Sequence, residues 1–171
     1  MTEIKNNESN HKKLEIILPA HHKHSQTVKN WKEISSDATE MRKMILANNF
    51  IGHYSGGFAL AHSQVSNDPK KFFVINEVVQ DGILLKTFKH WCIINLKIIK
   101  FGHPVSFEEA CLSFPFRKVK KVNRMAKIKV IYQIPSYFGT MRKKKKELID
   151  IAAFICQHEL AHFVGKNIYN K

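Results

Sequence analysis

Several things are scarce or missing in this sequence, and each scarcity excludes something. No uncharged apolar run approaches the ~20 residues that a membrane-spanning helix needs, so no span is expected. Residues 1–13 are polar and contain no apolar stretch followed by a cleavage site, so no secretory leader is expected. Together these lead to an expected cytoplasmic setting (a host-cell or organelle interior if the protein is viral or organellar), and in such a setting the three cysteines, Cys92, Cys111 and Cys156, an odd number, argue against a disulfide framework. Cys92 and Cys156 stand inside apolar runs and are expected to be small buried hydrophobes. Acidic residues are few: 14 Asp and Glu face 28 Lys and Arg, for a formal net charge of +14. Such a field favours polyanionic partners or acidic surfaces. Zinc-finger spacing, basic heptads and an aromatic RNA-binding signature are missing, so sequence-specific nucleic-acid binding is not expected.

What is present fits one globular domain. The length of 171 residues can bury a real core, and 44% hydrophobic with 25% charged residues is an ordinary balance. Residues 1–13 read as a mobile polar tail, and residues 14–171 as a single domain. Residues 14–19 read as a short strand or extended lead-in. His21, His22 and His24 follow, and without partners at a defined geometry they read as a solvated loop. A helix is expected to begin near residues 35–37, where Asp37 and Glu40 have capping-box spacing and Met41, Met44 and Ile45 share a face. Ser55-Gly56-Gly57 breaks the chain. Short runs rich in Val, Ile and aromatic residues then read as strands, at 72–75, 82–85, 90–95, 98–101, 119–122 and 127–133. In the last of these, Lys alternates with Ile and Val, which implies one wet face and one buried face. Residues 147–164 read as a helix, apolar around most of its circumference, ended by Gly165 and preceded by a basic loop at residues 142–146. The expected fold class is α+β, with antiparallel strands packed around a buried C-terminal helix that carries an HExxH motif.

That motif is His158-Glu159-Leu160-Ala161-His162. Histidines at i and i+4 project from one helical face, so both imidazoles can reach one metal ion. Glu159 can then lie beside a metal-bound water as general base and acid. His, Glu and His together are costly on an apolar helix unless paired or coordinated. A catalytic site needs a third protein ligand. Residues 163–171 offer neither Glu nor His, so that ligand is expected upstream, where a thiolate is a good candidate. One thiolate with two imidazoles suits one divalent ion per chain: Fe²⁺ or Zn²⁺, with Co²⁺ and Ni²⁺ also compatible.

Three motifs, in order, resemble those of the peptide deformylase family, in a short form similar to viral members. Gly57-Phe58-Ala59-Leu60-Ala61-His62-Ser63-Gln64-Val65 is similar to the family's Gly-x-Gly-Leu-Ala-Ala-x-Gln-Val. Glu109-Ala110-Cys111-Leu112-Ser113 resembles Glu-Gly-Cys-Leu-Ser, and Gln157-His158-Glu159-Leu160-Ala161-His162-Phe163-Val164-Gly165 resembles Gln-His-Glu-x-Asp-His-Leu-x-Gly. Ile94-Asn95-Leu96-Lys97-Ile98 is similar to the strand before the cysteine motif, with Leu96 where proline is usual. The resemblance implies an enzyme that removes the formyl group from the N-terminal formylmethionine of nascent peptides. It implies that Cys111, His158 and His162 hold the metal and that Glu159 activates the water. Gln64 and the backbone N–H of Leu112 would donate to the oxyanion. Gly57, Phe58 and Ala59 would line the peptide groove, and Glu109 would orient a ligand histidine.

Four positions depart from the pattern. Ala59 and Ala110 replace glycines, His62 replaces an alanine, and Ala161 replaces an aspartate that the family plausibly pairs with an arginine, here Arg124. None removes a metal ligand, the base or the glutamine, so an active enzyme is expected. The basic surface is compatible with proximity to the ribosome. Two other readings exist: a metallopeptidase using the same helix, and a catalytically silent basic module that binds RNA or ribosomes. Cys111 argues against the first, and the intact Glu159 and Gln64 argue against the second.

Overall fold

The computed structural model describes residues 14–17, 23–47, 58–76, 88–114 and 117–170. Residues 1–13, His21, His22, Gly57 and residues 82–85 lie outside these.

The elements are helix Ser35–Ala47 (α1), strands Ala59–Ala61 (β1), Phe72–Ile75 (β2), Cys92–Phe101 (β3), Pro104–Glu109 (β4), Lys120–Met125 (β5), Lys127–Pro135 (β6) and Met141–Ile149 (β7), and helix Asp150–Phe163 (α2). A 3-10 turn, His62–Gln64, follows β1 directly. Five strands form one antiparallel sheet in the order β1-β2-β3-β6-β7, and β4 pairs with β5 in a separate two-stranded sheet. The architecture is therefore a mixed α+β fold with antiparallel sheets and a C-terminal helix.

The period of two along a strand sends alternate side chains to opposite faces. Phe73, Ile75, Ile93 and Val130 pack under α2 with Ala152, Ala153, Cys156 and Phe163. Phe72, Val74, Cys92 and Ile94 pack under α1 with Ala38, Met41 and Ile45. A strand covered on both faces has no polar side, which is why the four residues of β2, Phe-Phe-Val-Ile, are all buried. Cys92 and Cys156 are fully buried, as their apolar surroundings require. In β6 the expected alternation is present: Ile128, Val130, Tyr132 and Ile134 are buried and the residues between them are not.

Several sequence expectations need correction. The basic run at 142–146 is not a loop but the middle of β7, and Leu148 and Ile149 belong to that strand and not to the helix. Nine consecutive residues of β7 pair with β6, from Pro135↔Met141 to Lys127↔Ile149. That continuous ladder outweighs the helical pattern of the apolar residues that follow. The chain switches from strand to helix at Asp150, whose φ of 49° is in the left-handed region and whose N–H donates to the Ala126 carbonyl at 2.7 Å. The runs expected at 90–95 and 98–101 are one strand, β3, interrupted by a bulge at Asn95. Asn95 has φ 51°, and its side chain ties Val28 and Gln133 to the bulge. The strand expected at 119–122 is β5, displaced toward the C-terminus, and β4 and β1 were not foreseen. Asp37 is the third residue of α1 and not its cap. Leu14 is buried and the Ile17 N–H donates to the Gln64 carbonyl at 2.7 Å, but residues 14–17 form no regular strand. His24 sits in an isolated bridge with Val164. Among the described residues no helix is long and apolar enough to cross a membrane.

Candidate active site

The site forms where α2 meets the β4–β5 sheet and the 3-10 turn after β1. One helical turn separates His158 from His162, and their Nε2 atoms stand 3.2 Å apart. Gln157, one residue earlier, locks this stretch to the end of β5. Its Oε1 accepts from the Met125 N–H, and its Nε2 donates to the Met125 and Ala153 carbonyls, all at 2.9 Å. The other face of the helix is held by Ser63, fully buried, whose Oγ donates to the His162 carbonyl at 2.9 Å.

Cys111 enters from the turn after β4, closed by the Phe114 N–H donating to the Cys111 carbonyl. Its Sγ lies 3.4 Å from His162 Nε2. Among the described residues, Cys111, His158 and His162 form the one group able to hold a metal ion, with ligand atoms all within 4.8 Å of one another.

Behind His158 runs a charged relay. His158 Nδ1 is 2.8 Å from Glu109 Oε2, which leaves Nε2 for the centre of the site. Glu109 takes two bonds from Arg124, at 2.6 Å from Nε and 2.7 Å from Nη2. With alanine at position 161, Arg124 is paired with Glu109. Burial would raise the Glu109 carboxyl, but the bonds from Arg124 and His158 outweigh it and hold the group below its ordinary value. Burial likewise works to lower His158, and the Cys111 and Glu109 bonds reverse that, pushing it up to about 10.

Glu159 is buried at 3% exposure, and its Oε2 has no hydrogen-bond partner among the described residues. Burial pushes its carboxyl up to about 7, against the pull of His158. Gln64 reaches the site from the 3-10 turn. Gln64 Oε1 accepts from the Ala61 N–H at 2.8 Å, so the amide has one orientation. Nε2 then points inward, donating to Ser113 Oγ at 2.9 Å with Cys111 Sγ at 3.8 Å. Leu112 is half-buried in the same turn as Cys111. Ala59 lies in β1 opposite Ile75, where an extended backbone suits alanine as well as glycine. Phe58 is half-buried and its carbonyl accepts from Asn76, while Gly57 lies outside the described residues.

The structure therefore brings Cys111, His158, His162, Glu159, Gln64, Glu109 and Arg124 together. It adds Gln157, Ser63, Ser113 and the buried His62. All four stand inside the quoted motifs, yet nothing local to those motifs tells which distant backbone or side chain each would reach.

The donor set suits a divalent ion: a thiolate and two imidazoles converge on one point, and Glu159, next to His158 in the chain and electrostatically coupled to it, has a buried carboxylate oxygen with no hydrogen-bond partner among the described residues. The polypeptide deformylase family model matches residues 14–171. Against curated protein sequences the chain matches none. Solved structures are similar to it. The peptide deformylase from Thermotoga maritima has 25% identity and a TM-score of 0.71, over 92% of this chain and 96% of that one. A probable peptide deformylase from Synechococcus phage S-SSM7 has 27% identity and a TM-score of 0.70, over 91% and 97%. The peptide deformylase from Ehrlichia chaffeensis has 25% identity and a TM-score of 0.69, over 91% and 86%. With the match covering nearly all of the sequence and a metal-competent centre at the expected place, the chain belongs to the polypeptide deformylase family, metal-dependent hydrolases that remove the N-formyl group from nascent peptides.

Proposed function

We propose that residues 14–171 are one catalytic domain that deformylates N-terminal formylmethionine with Cys111, His158 and His162 as the metal ligands. The observation that carries this is the convergence of the three ligand atoms on a helix whose Glu159, between the two histidines, keeps a buried Oε2 without a hydrogen-bond partner among the described residues. When bound, a divalent ion (Fe²⁺ or Zn²⁺ by ligand chemistry, with Co²⁺ and Ni²⁺ also suited) supplies Lewis acidity and makes water a better nucleophile near neutral pH. Glu159 takes the proton from the attacking water and returns it to the departing amine nitrogen. Its burial raises its proton affinity toward 7, which suits a group that must accept and then release. Gln64 Nε2, fixed by the Ala61 N–H, donates to the oxyanion together with the backbone N–H of Leu112, stabilising charge that develops only in the transition state. Glu109 and Arg124 hold His158 in one tautomer and orientation.

The peptide lies along Gly57, Phe58 and Ala59. Among the described residues β1 is the edge strand of its sheet, and with the Ala61 N–H taken by Gln64, the backbone around Ala59 is the part that can pair with an extended chain. The site of action is the cytoplasm or an organelle interior, where formylated chains are made, and the net charge of +14 supports proximity to the ribosome. The test combines metal analysis with an anaerobic assay on formyl-Met peptides. Wild type should carry one ion per chain and release formate. Cys111→Ala should lose both metal and activity. Glu159→Gln should keep its metal while turnover falls by roughly 10²-fold or more. Full activity in either variant overturns the assignment.

A further inference from the structure

The far end of the molecule's main sheet carries a surface that deformylation does not use. Strands β3, β6 and β7 hold nine Lys and Arg and a single acidic residue, Glu147. Register assigns these cations to faces. Lys97 pairs with Ile131, which pairs with Lys145; Lys100 pairs with Lys129, which pairs with Glu147; and Gln133 pairs with Lys143. Directly paired residues point to the same side of a sheet. Lys97, Lys100, Lys129, Lys143 and Lys145 therefore share the face opposite α2. Lys97 and Lys145 flank Ile131 at two strand spacings, about 9–10 Å. A shallow groove of about 340 Å³ opens there, bounded by Ile131, Lys143, Lys144 and Lys145. Glu147 is bonded by Lys127 at 2.7 Å and also lies in the field of Lys129 and Lys100, while among the described residues Lys97, Lys143 and Lys145 stand in no ion pair.

Past the groove, β6 and β7 run on to their hairpin tip. Tyr137 is 97% exposed and Phe138 is 79% exposed, with their rings perpendicular at 5.6 Å. The turn is well built: Ser136 N–H donates to the Thr140 carbonyl at 2.8 Å, Gly139 N–H donates to the Ser136 carbonyl at 3.1 Å, and Gly139 supplies a φ of +72°. Two adjacent aromatics held out by an ordered turn are a contact surface and not a scattered exposure.

We infer that this face is a docking surface for an unpaired stretch of RNA, with phosphates on the lysine groove and bases stacked on Tyr137 and Phe138. Aromatic platforms at the end of a cationic track are what sequence-tolerant single-strand binding needs. A membrane surface fits less well. If the tip inserted upright, of the five lysines only Lys143, about 7 Å up the strand from Met141, would lie within the ~8 Å screening length at physiological salt; Lys145 and Lys97 would stand at about 13 Å, with Lys129 and Lys100 further still. If the strand lay flat, the tip could not insert. A flexible polyanion can follow the groove and reach the rings at once. RNA is the polyanion at hand for an enzyme of nascent peptides. The inference does not depend on how the catalytic residues are assigned.

The test is fluorescence anisotropy with a labelled mixed-sequence single-stranded RNA, the same sequence as duplex, and vesicles containing phosphatidylserine, titrated over a range of salt. Three double variants accompany wild type: Tyr137→Ser with Phe138→Ser, Lys143→Ser with Lys145→Ser, and Lys118→Ser with Lys121→Ser as an equal charge reduction at the β4–β5 sheet. Wild type should prefer the single strand. The tip variant should bind it about tenfold or more weakly while binding duplex unchanged. The groove variant should lower the magnitude of the salt slope by about 0.7 for each phosphate that the removed lysines no longer neutralise. The control pair should do neither, and all should deformylate formyl-Met peptides at the wild-type rate. Equal binding of single strand and duplex, indifference to the tip, equal weakening by the control pair, or preference for vesicles over RNA would each overturn the inference.

Discussion

His62 Nε2 lies 3.0 Å from the Asp37 carboxylate on α1, while its Nδ1 accepts the Lys70 N–H at 2.9 Å. The second bond requires Nδ1 to be unprotonated, so Nε2 carries the hydrogen that goes to Asp37. The ring stacks on Phe72 at 4.6 Å and is 2% exposed. Where the family pattern has alanine, this chain has a buried strut between the turn that presents Gln64, helix α1 and the entry to β2.

His62→Ala is therefore expected to destabilise the fold, because it leaves a cavity beside Phe72 and an unsatisfied Lys70 N–H. A cost of about 1–3 kcal/mol is the scale for such a change, or a fall in Tm of about 2–4 °C per kcal/mol at this size. Asp37→Asn should cost much less, since that carboxylate is 42% exposed and well screened. Thermal unfolding of both variants measures this; equal stability of His62→Ala and wild type would remove the strut from the account.

Gln64→Leu should separate oxyanion stabilisation from binding. The amide is held by Ala61 and Ser113, so its Nε2 is fixed before substrate arrives. Loss of such a donor raises the barrier by roughly 2.7–4 kcal/mol. The expected result is a fall in kcat with metal content and KM near wild type. A raised KM with unchanged kcat would make Gln64 a residue for ground-state binding.

The pair of Glu109 and Arg124 should act through His158. Glu109→Gln is expected to weaken metal affinity by roughly 10–100-fold, the usual scale for a group that orients a metal ligand. The sign of the pH effect follows from Glu109 lying below its ordinary value in the fold. Its stabilisation is present above the ordinary carboxylate range and is lost as pH falls through its folded value. Arg124→Met removes the main bond holding it down, so acid unfolding should begin at higher pH than in wild type. Coincident acid transitions would show that this relay contributes nothing to stability.

Metal removal should make the protein more pH-sensitive in the opposite direction. In the ion-free site His158 is pushed from 6.5 up to about 10. A raised value stabilises the ion-free fold fully below about 6.5, and that contribution is lost as pH rises through about 10. An arriving cation displaces this proton, so apparent metal affinity should rise with pH by up to about tenfold per unit over the same interval. Competition with a chelator at several pH values reads this directly. An affinity independent of pH would mean that His158 is already neutral when the ion arrives.

Local chemistry decided much of this protein in the sequence itself. The i, i+4 histidines on a helix, the acid between them and the ordered motifs around Gln64 and Cys111 depend on periodicity and short-range pattern. So do the alternation of β6 and the burial of Cys92 and Cys156. What the sequence could not decide depends on partners far along the chain. The basic run at 142–146 has no local strand signal, and it is a strand because nine residues of β7 find β6. His62 is a strut only because α1 brings Asp37 across 25 positions. Arg124 finds Glu109 because β4 and β5 pair in one particular register. Tyr137 and Phe138 become an exposed tip only once the hairpin closes. Backbone pairing and side-chain contact at long separation are set by the packing of the whole core, and no window of neighbouring residues contains that information.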